Sequence, residues 1–271
     1  MKEKAHFIIH TIERLANVSK GGKRAHTKGF NYQGEVQLNE LGKKLLGEST
    51  EAIVRLSDAL TDRKHYTRLV PLKGLAIHFK GTVPVDIVMV SFPYFPWTKA
   101  DSIVKLAQYS NAIHDETDWK IKLNLMRHML KIEQFHRHLK QFIVNQPIKT
   151  TFKDRVFYNL HYFKSNENQY IRFQAELKGN QVILFAEVHA SPHSIAEIPC
   201  DYQRVEIGNI QLKSETTEQH EMFNVLEVGN NLKVLEDDEI IHLRAALYEV
   251  SNAHRLGEGM VHDDVVSLDK I

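Results

Sequence analysis

The chain has 271 residues, of which 42% are hydrophobic and 25% charged, the balance of an ordinary globular protein. Thirty-five Lys and Arg against 34 Asp and Glu leave a net charge of +1, so no global field recruits nucleic acid or an anionic membrane. The single cysteine, Cys200, excludes an internal disulfide framework and any CxxC zinc or redox site.

Residues 1–15 mix Lys, Glu, His and Arg into their apolar positions and lack a signal-peptide core, and no apolar run approaches the ~20 residues of an integral membrane span. A reducing cytoplasm is the expected location. Ile8, Ile9, Ile12, Leu15 and Ala16 fall at helical spacing and predict a short amphipathic helix over 2–18. Gly21, Gly22, Gly29 and Gly34 then punctuate a stretch of loop and strand. Short strands follow at 54–57, 74–79 and 85–90, the last closed by Pro93 and Pro96. From Lys99 to Gln146 apolar residues recur every three or four positions, among them Ile103, Leu106, Leu123, Met126, Leu139 and Phe142, which predicts two or three helices. After Pro147 the β pattern returns at 155–160, 170–175, 182–185, 204–212 and 224–228, with hairpin breaks at 165–168 and 179–180. A final helix runs from Glu239 to Leu256 with Gly257 as its stop, and Asp237, Asp238 and Glu239 supply favourable charge at its N-terminus. With no repeat or linker, residues 1–271 read as one α+β domain, with a helical segment at about 99–146 and enough strands to close a barrel.

Two pieces carry chemistry. In the last helix, Arg244 and Tyr248 are four residues apart and share a face. A guanidinium beside a phenol favours the phenolate, and a phenolate oxygen is a competent axial ligand for heme iron. Arg255 lies seven residues further along that face, about 10.5 Å at 1.5 Å per residue, a reach suited to a heme propionate. Alone, the RxxxY spacing is a weak signal. The second piece is Lys23-Arg24-Ala25-His26-Thr27-Lys28-Gly29, in a Gly-rich setting.

Five segments together raise the information content. Residues 23–29 are similar to the distal-histidine segment of heme catalases, R-x-x-H-A-K-G. Val54-Arg55-Leu56-Ser57 resembles their V-R-F-S strand, and Gly74-Leu75-Ala76-Ile77-His78-Phe79 matches R-G-F-A-x-K-F in spacing. Asp86-Ile87-Val88 with Phe92-Pro93 resembles D-L-V-G-N-N-T-P, and Arg244, Tyr248 and Arg255 match the proximal R-x-x-x-Y-x(6)-R. In style the chain resembles the small catalase-related peroxidases and the allene oxide synthases. The resemblance implies an antiparallel β-barrel of the catalase type, with an inserted helical block and a C-terminal proximal helix, binding heme b. It implies that His26 moves a proton between the oxygens of a bound peroxide and that Ser57 holds the other nitrogen of His26. Tyr248 would be the iron ligand, with Arg244 holding it as phenolate. Lys23, Arg55, Arg255 and Phe92 would bind the cofactor.

The departures from the family pattern shape the expected substrate. The distal Asn of the family falls on Val90, or on Ser91 if the alignment slips by one, and losing one oriented donor typically costs about 100-fold or more in rate. Ala25 is smaller than the Val usual beside the distal His. The sequence ends a few residues beyond the proximal helix and so lacks the wrapping arm of full-size catalases. These features favour an organic or lipid hydroperoxide as the small-molecule partner, and a homodimer is expected by analogy. The alternatives are a fatty-acid hydroperoxide isomerase or dehydratase of the allene oxide synthase type, a heme-binding sensor or carrier without turnover, and a heme-free barrel for an apolar ligand. Among the other histidines, His128, His136 and His138 read as part of a solvated basic face, as do Lys131, Arg137 and Lys140. His254 is ambiguous, and His78 receives no role.

Overall fold

The computed structural model describes residues 1–16, 18, 20–24, 26, 28–58, 73–135, 152, 155–216 and 223–259. Ala25, His136, Arg137, His138, Lys140 and the predicted helical residues 136–146 therefore lie outside the described residues.

Eight antiparallel strands close a barrel. They are β1 (Lys28–Leu38), β2 (Ser49–Asp58), β3 (Lys73–Gly81), β4 (Val85–Val90), β5 (Val156–Tyr158), β7 (Tyr170–Lys178), β8 (Gln181–His189) and β9 (Gln203–Glu215), in the ring order β7-β5-β4-β3-β2-β1-β9-β8 with β8 returning to β7. Two short strands, β6 (Phe163–Ser165) and β10 (Leu232–Val234), extend the sheet beyond β7. Closure removes the exposed edges that an open sheet would carry. Two local features make it possible. Gly179 takes a positive φ of 60° in the two-residue turn between Lys178 and Gln181, as a tight hairpin requires. At Gly208, φ is 149° and the β8–β9 register shifts between Leu184 and Phe185, a bulge that bends the strand. A side chain at 208 would collide with the Gln37 carbonyl.

The barrel interior is one hydrophobic cluster to which all eight strands contribute, including Tyr32, Val54, Leu56, Ile77, Phe79, Ile87, Phe157, Phe173, Leu184 and Ile210. It is a packed core, not a pore. Alternation along each strand then sends the intervening residues to the other face. On β2–β4 these are Arg55, Ser57, Gly74, Ala76, Val88 and Val90, the wall of the site described below.

The described residues form five α-helices, α1 (Lys2–Ala16), α2 (Glu40–Leu46), α3 (Ala100–Asp115), α4 (Trp119–Leu130) and α5 (Glu239–Glu258), of which α1 and α5 face this wall. The apolar stripe of α1 packs against both α3 and α5, through Ile8 with Ala107 and Leu243, and through Ala5 and Ile9 with Val250. Asp238 caps α5, its carboxylate accepting from the backbone N–H groups of Ile240 and Ile241 and meeting His161 Nδ1 at 2.6 Å. The charge expected at this N-terminus is thus a side-chain cap. The helix runs past Gly257 and ends at Gly259, which has a φ of 77°. No helix among the described residues is long and apolar enough to cross a membrane.

Three expectations need correction. Residues 224–228 form a turn, not a strand, because Asn224 Oδ1 accepts from the Leu226 N–H and draws the backbone away from a ladder; one isolated bridge, Val85 to Val228, remains. The strand expected over 155–160 is limited to Val156–Tyr158, since the Asn159 N–H bonds to the Phe173 carbonyl and its side chain to the Val88 carbonyl, at a bend. Finally, α4 buries none of its residues, so its apolar periodicity at Leu123 and Met126 marks an exposed face.

Candidate functional site

The register across four strands builds the wall. Gly29 pairs with Ser57, Ser57 with Gly74 and Gly74 with Val90, making one row; Arg55, Ala76 and Val88 form the next. His26 precedes β1 with a positive φ of 51°, a conformation that His tolerates better than most residues and one that marks functional positions. Its ring lies over the first row. Nδ1 is 3.1 Å from Ser57 Oγ, and a Cβ at Gly74 would come within 2.6 Å of that same nitrogen. Arg55 Nη2 donates to the His26 carbonyl at 2.9 Å, and its guanidinium fills the space that a side chain at Gly29 would need. A side chain at Gly74 would therefore displace the His26 ring or Ser57, and one at Gly29 the Arg55 guanidinium. The ring is enclosed by protein yet borders a cavity. Burial, followed by the charges of Arg55, Arg244 and Lys23, pushes its pKa down to about 3 against the hydrogen bond to Ser57. The imidazole is neutral throughout the physiological range.

The cavity measures ≈ 470 Å³, within the range of about 300–1,000 Å³ typical of small-molecule and cofactor sites. From α5 it receives Arg244, Leu247, Tyr248, Ser251, Asn252 and Arg255, a stripe with the three- and four-residue spacing of one helix face. The 91–97 loop adds Phe92, Tyr94, Phe95, Pro96 and Trp97. That loop is anchored from behind, where Arg172 donates Nη1 to the Pro93 carbonyl at 2.7 Å and is held by two bonds to Glu187 at 2.5 and 2.9 Å.

Five basic side chains line the cavity: Lys23, Arg24, Arg55, Arg244 and Arg255. Among the described residues, no Asp or Glu lines it. Arg24 is neutralised from outside by Glu13 of α1 and Glu258 of α5, both at 2.7 Å. Arg255 Nε reaches the Gly21 carbonyl at 3.4 Å. Arg244 keeps a buried Nη1 with no hydrogen-bond partner among the described residues, an uncommon and costly condition.

Nine of the ten residues singled out from the sequence meet here: Lys23, His26, Arg55, Ser57, Val90, Phe92, Arg244, Tyr248 and Arg255. Ser91 does not line the cavity. Its hydroxyl is buried behind the wall, accepting from the Lys73 N–H at 3.0 Å, so Val90 holds the position beside the His26 row. Sequence reasoning missed Arg24 as a wall residue, although it sits between Lys23 and His26. It also missed the wall positions Tyr94, Phe95 and Trp97, for which the only signal was an aromatic cluster between prolines. His78, given no role, pairs with Asp86 at 2.8 Å, and the other Asp86 oxygen accepts from the Asn224 N–H, away from the cavity.

No protein-family model matches the chain, and no curated protein does. Among solved structures, the fold is similar to that of a bacterial catalase, with a TM-score of 0.65, 13% sequence identity and coverage of 93% of this chain. The chain spans 61% of that catalase. At this identity the likeness is one of fold: the protein has a catalase-like fold, an antiparallel β-barrel of the catalase type with added helices, as the sequence led us to expect.

Proposed function

We propose that the protein is a heme-dependent enzyme acting on hydroperoxides, of the catalase-related peroxidase type. The observation that carries this reading is the composition of this cavity: a histidine–serine pair and an Arg-x-x-x-Tyr helix face meet in a largely apolar space that, among the described residues, has five cations and no carboxylate around it. These residues fit heme b. The aromatic and aliphatic walls suit a flat macrocycle, and the unpartnered Arg244 Nη1 calls for an anion. Lys23, Arg55 and Arg255 would hold the propionates, Phe92 would pack on the ring, and Tyr248, one turn from Arg244 on the same helix face, would ligate the iron through its phenol oxygen.

When bound, heme supplies the redox change that accompanies O–O cleavage. His26 supplies the proton handling. With Nδ1 held by Ser57, Nε2 is left to accept the proton of a peroxide and return it to the departing oxygen. A base with a pKa near 3 is weak, but an anionic group between Arg55, Arg244 and Lys23 cancels the charges that help depress it and moves it toward a working range. Val90 offers no hydrogen bond, and Leu75, Met89, Leu160 and Phe223 make the wall apolar. Both features favour an organic hydroperoxide over hydrogen peroxide, as substrate of a peroxidase or of an isomerase of the allene oxide synthase type. Val90 also favours a second reading, a heme carrier without turnover.

An absorption spectrum after expression with added heme, taken beside Tyr248→Phe, is the direct test. A ferric tyrosinate-type spectrum that the substitution removes or shifts supports the cofactor and its ligand. Absence of a Soret band overturns the heme reading. Turnover of cumene hydroperoxide with a reducing dye then separates enzyme from carrier.

A further inference from the structure

A second constellation lies on the outer side of the α1–α5 packing. His6 and His10 occupy successive turns of α1, and His254 approaches them from α5, with ring centroids 5.9 and 5.4 Å away. One nitrogen of each ring falls within 4.8 Å of the others, and among the described residues this is the one such group of three or more potential ligands. From this geometry we infer that His6, His10 and His254 form a three-imidazole site for a divalent transition metal of the zinc class, clamping the N-terminal helix to the helix that carries Arg244 and Tyr248.

Three features support a metal over a chance meeting of rings. The i,i+4 spacing places both α1 imidazoles on one face, the arrangement by which helices present paired histidines to Zn²⁺. Glu13, one turn further on, stands behind the cluster: Oε1 meets His254 Nδ1 at 2.9 Å and Oε2 lies 3.6 Å from His10 Nδ1. A carboxylate on Nδ1 of His254 fixes its tautomer and leaves Nε2 as the basic nitrogen available to an ion, the outer-shell arrangement typical of histidine–metal sites. A tetrahedral ion with Zn–N distances of about 2.0–2.1 Å needs nitrogens about 3.3 Å apart. His6 and His10 are both exposed, so their rings have the freedom to turn toward that spacing. The fourth position faces solvent and would hold water.

The site is separate from the cavity, because none of His6, His10 and His254 lines it, although Glu13 links His254 to the wall residue Arg24. The test is isothermal titration of the full-length protein with zinc chloride alone, together with thermal unfolding with and without the ion. We expect one Zn²⁺ per chain at micromolar affinity or tighter, and a Tm that rises with zinc concentration as ligand linkage demands. His10→Ala, at an exposed position, should weaken binding more than about 100-fold and abolish the Tm shift, whereas Glu13→Gln should weaken it about 10–100-fold. His254→Asn should behave as His10→Ala does. Absence of one-to-one binding, or binding that survives both His10→Ala and His254→Asn, would overturn the assignment.

Discussion

The imidazole of His26 rests on the bare backbone of Gly74, with Ser57 holding it from the neighbouring strand. Gly74→Ala would place a methyl group within 2.6–2.7 Å of the ring and of Ser57 Oγ, so the ring must shift by a large part of an ångström. Displacement of a catalytic group on that scale can cost about 100-fold in rate. The expected outcome is a drop of about that size in kcat for hydroperoxide, with heme uptake kept and the unfolding midpoint little changed. Steady-state kinetics beside a thermal melt check it, and an unchanged kcat would show that the position of His26 is not important.

His26 also makes stability depend on pH in a defined window. Its pKa is about 3 in the folded protein against 6.5 unfolded, so below pH 6.5 the unfolded chain takes up a proton that the folded chain refuses. The contribution of this residue is fully present above about pH 6.5. It falls by about 1.4 kcal/mol per pH unit as pH drops toward 3. His26→Asn, which tolerates the positive φ, removes that dependence. Urea unfolding of both proteins at pH 7 and pH 4.5 should show the variant losing less stability on acidification, and parallel losses would contradict the buried neutral ring.

Arg172 and Glu187 form a pair with side chains only 2% and 0% exposed, and the arginine also ties down the loop that carries Phe92 and Trp97. Removing Arg172 leaves the Glu187 carboxylate buried with hydrogen bonds from Gln174 and His189 but no arginine, and breaking a buried pair in this way costs about 3–5 kcal/mol. Arg172→Leu should therefore lower the urea midpoint by a corresponding amount. Because the loop is released with it, heme affinity should fall as well; a variant with wild-type stability and wild-type heme affinity would mean that the pair is incidental.

Much of this architecture was legible in the chain. The β-branched run at 85–90 became β4 with the same bounds, since a buried strand between two neighbours follows its apolar pattern closely. The helix α2 was not foreseen: its seven residues are too few for periodicity to show, although Asn39 caps it, its side chain accepting from the Gly42 N–H. At the site, family-like motifs marked His26, Ser57 and Tyr248 individually. What they could not show is the register that lines up Gly29, Ser57, Gly74 and Val90, because pairing between strands is a tertiary fact. The same limit hid the histidine cluster. The spacing of His6 and His10 is visible in one helix, but His254 joins them only after the chain has folded through the whole barrel.

Val90 tests the chemistry most directly. It sits in the strand row next to Gly74, and hence beside His26, and it lines the cavity with a side chain that cannot donate a hydrogen bond. A peroxide bound there has His26 for its proton but no second group to orient it. One preorganised donor is typically worth a factor of about 100 or more. Val90→Asn should therefore raise hydrogen peroxide turnover by roughly that factor in heme-loaded protein, read as oxygen evolution. Turnover of a bulky organic hydroperoxide should rise less, because the larger polar side chain also narrows an apolar wall. If oxygen evolution does not change, the missing donor at Val90 is not what limits hydrogen peroxide turnover, and the preference for an organic hydroperoxide loses this support.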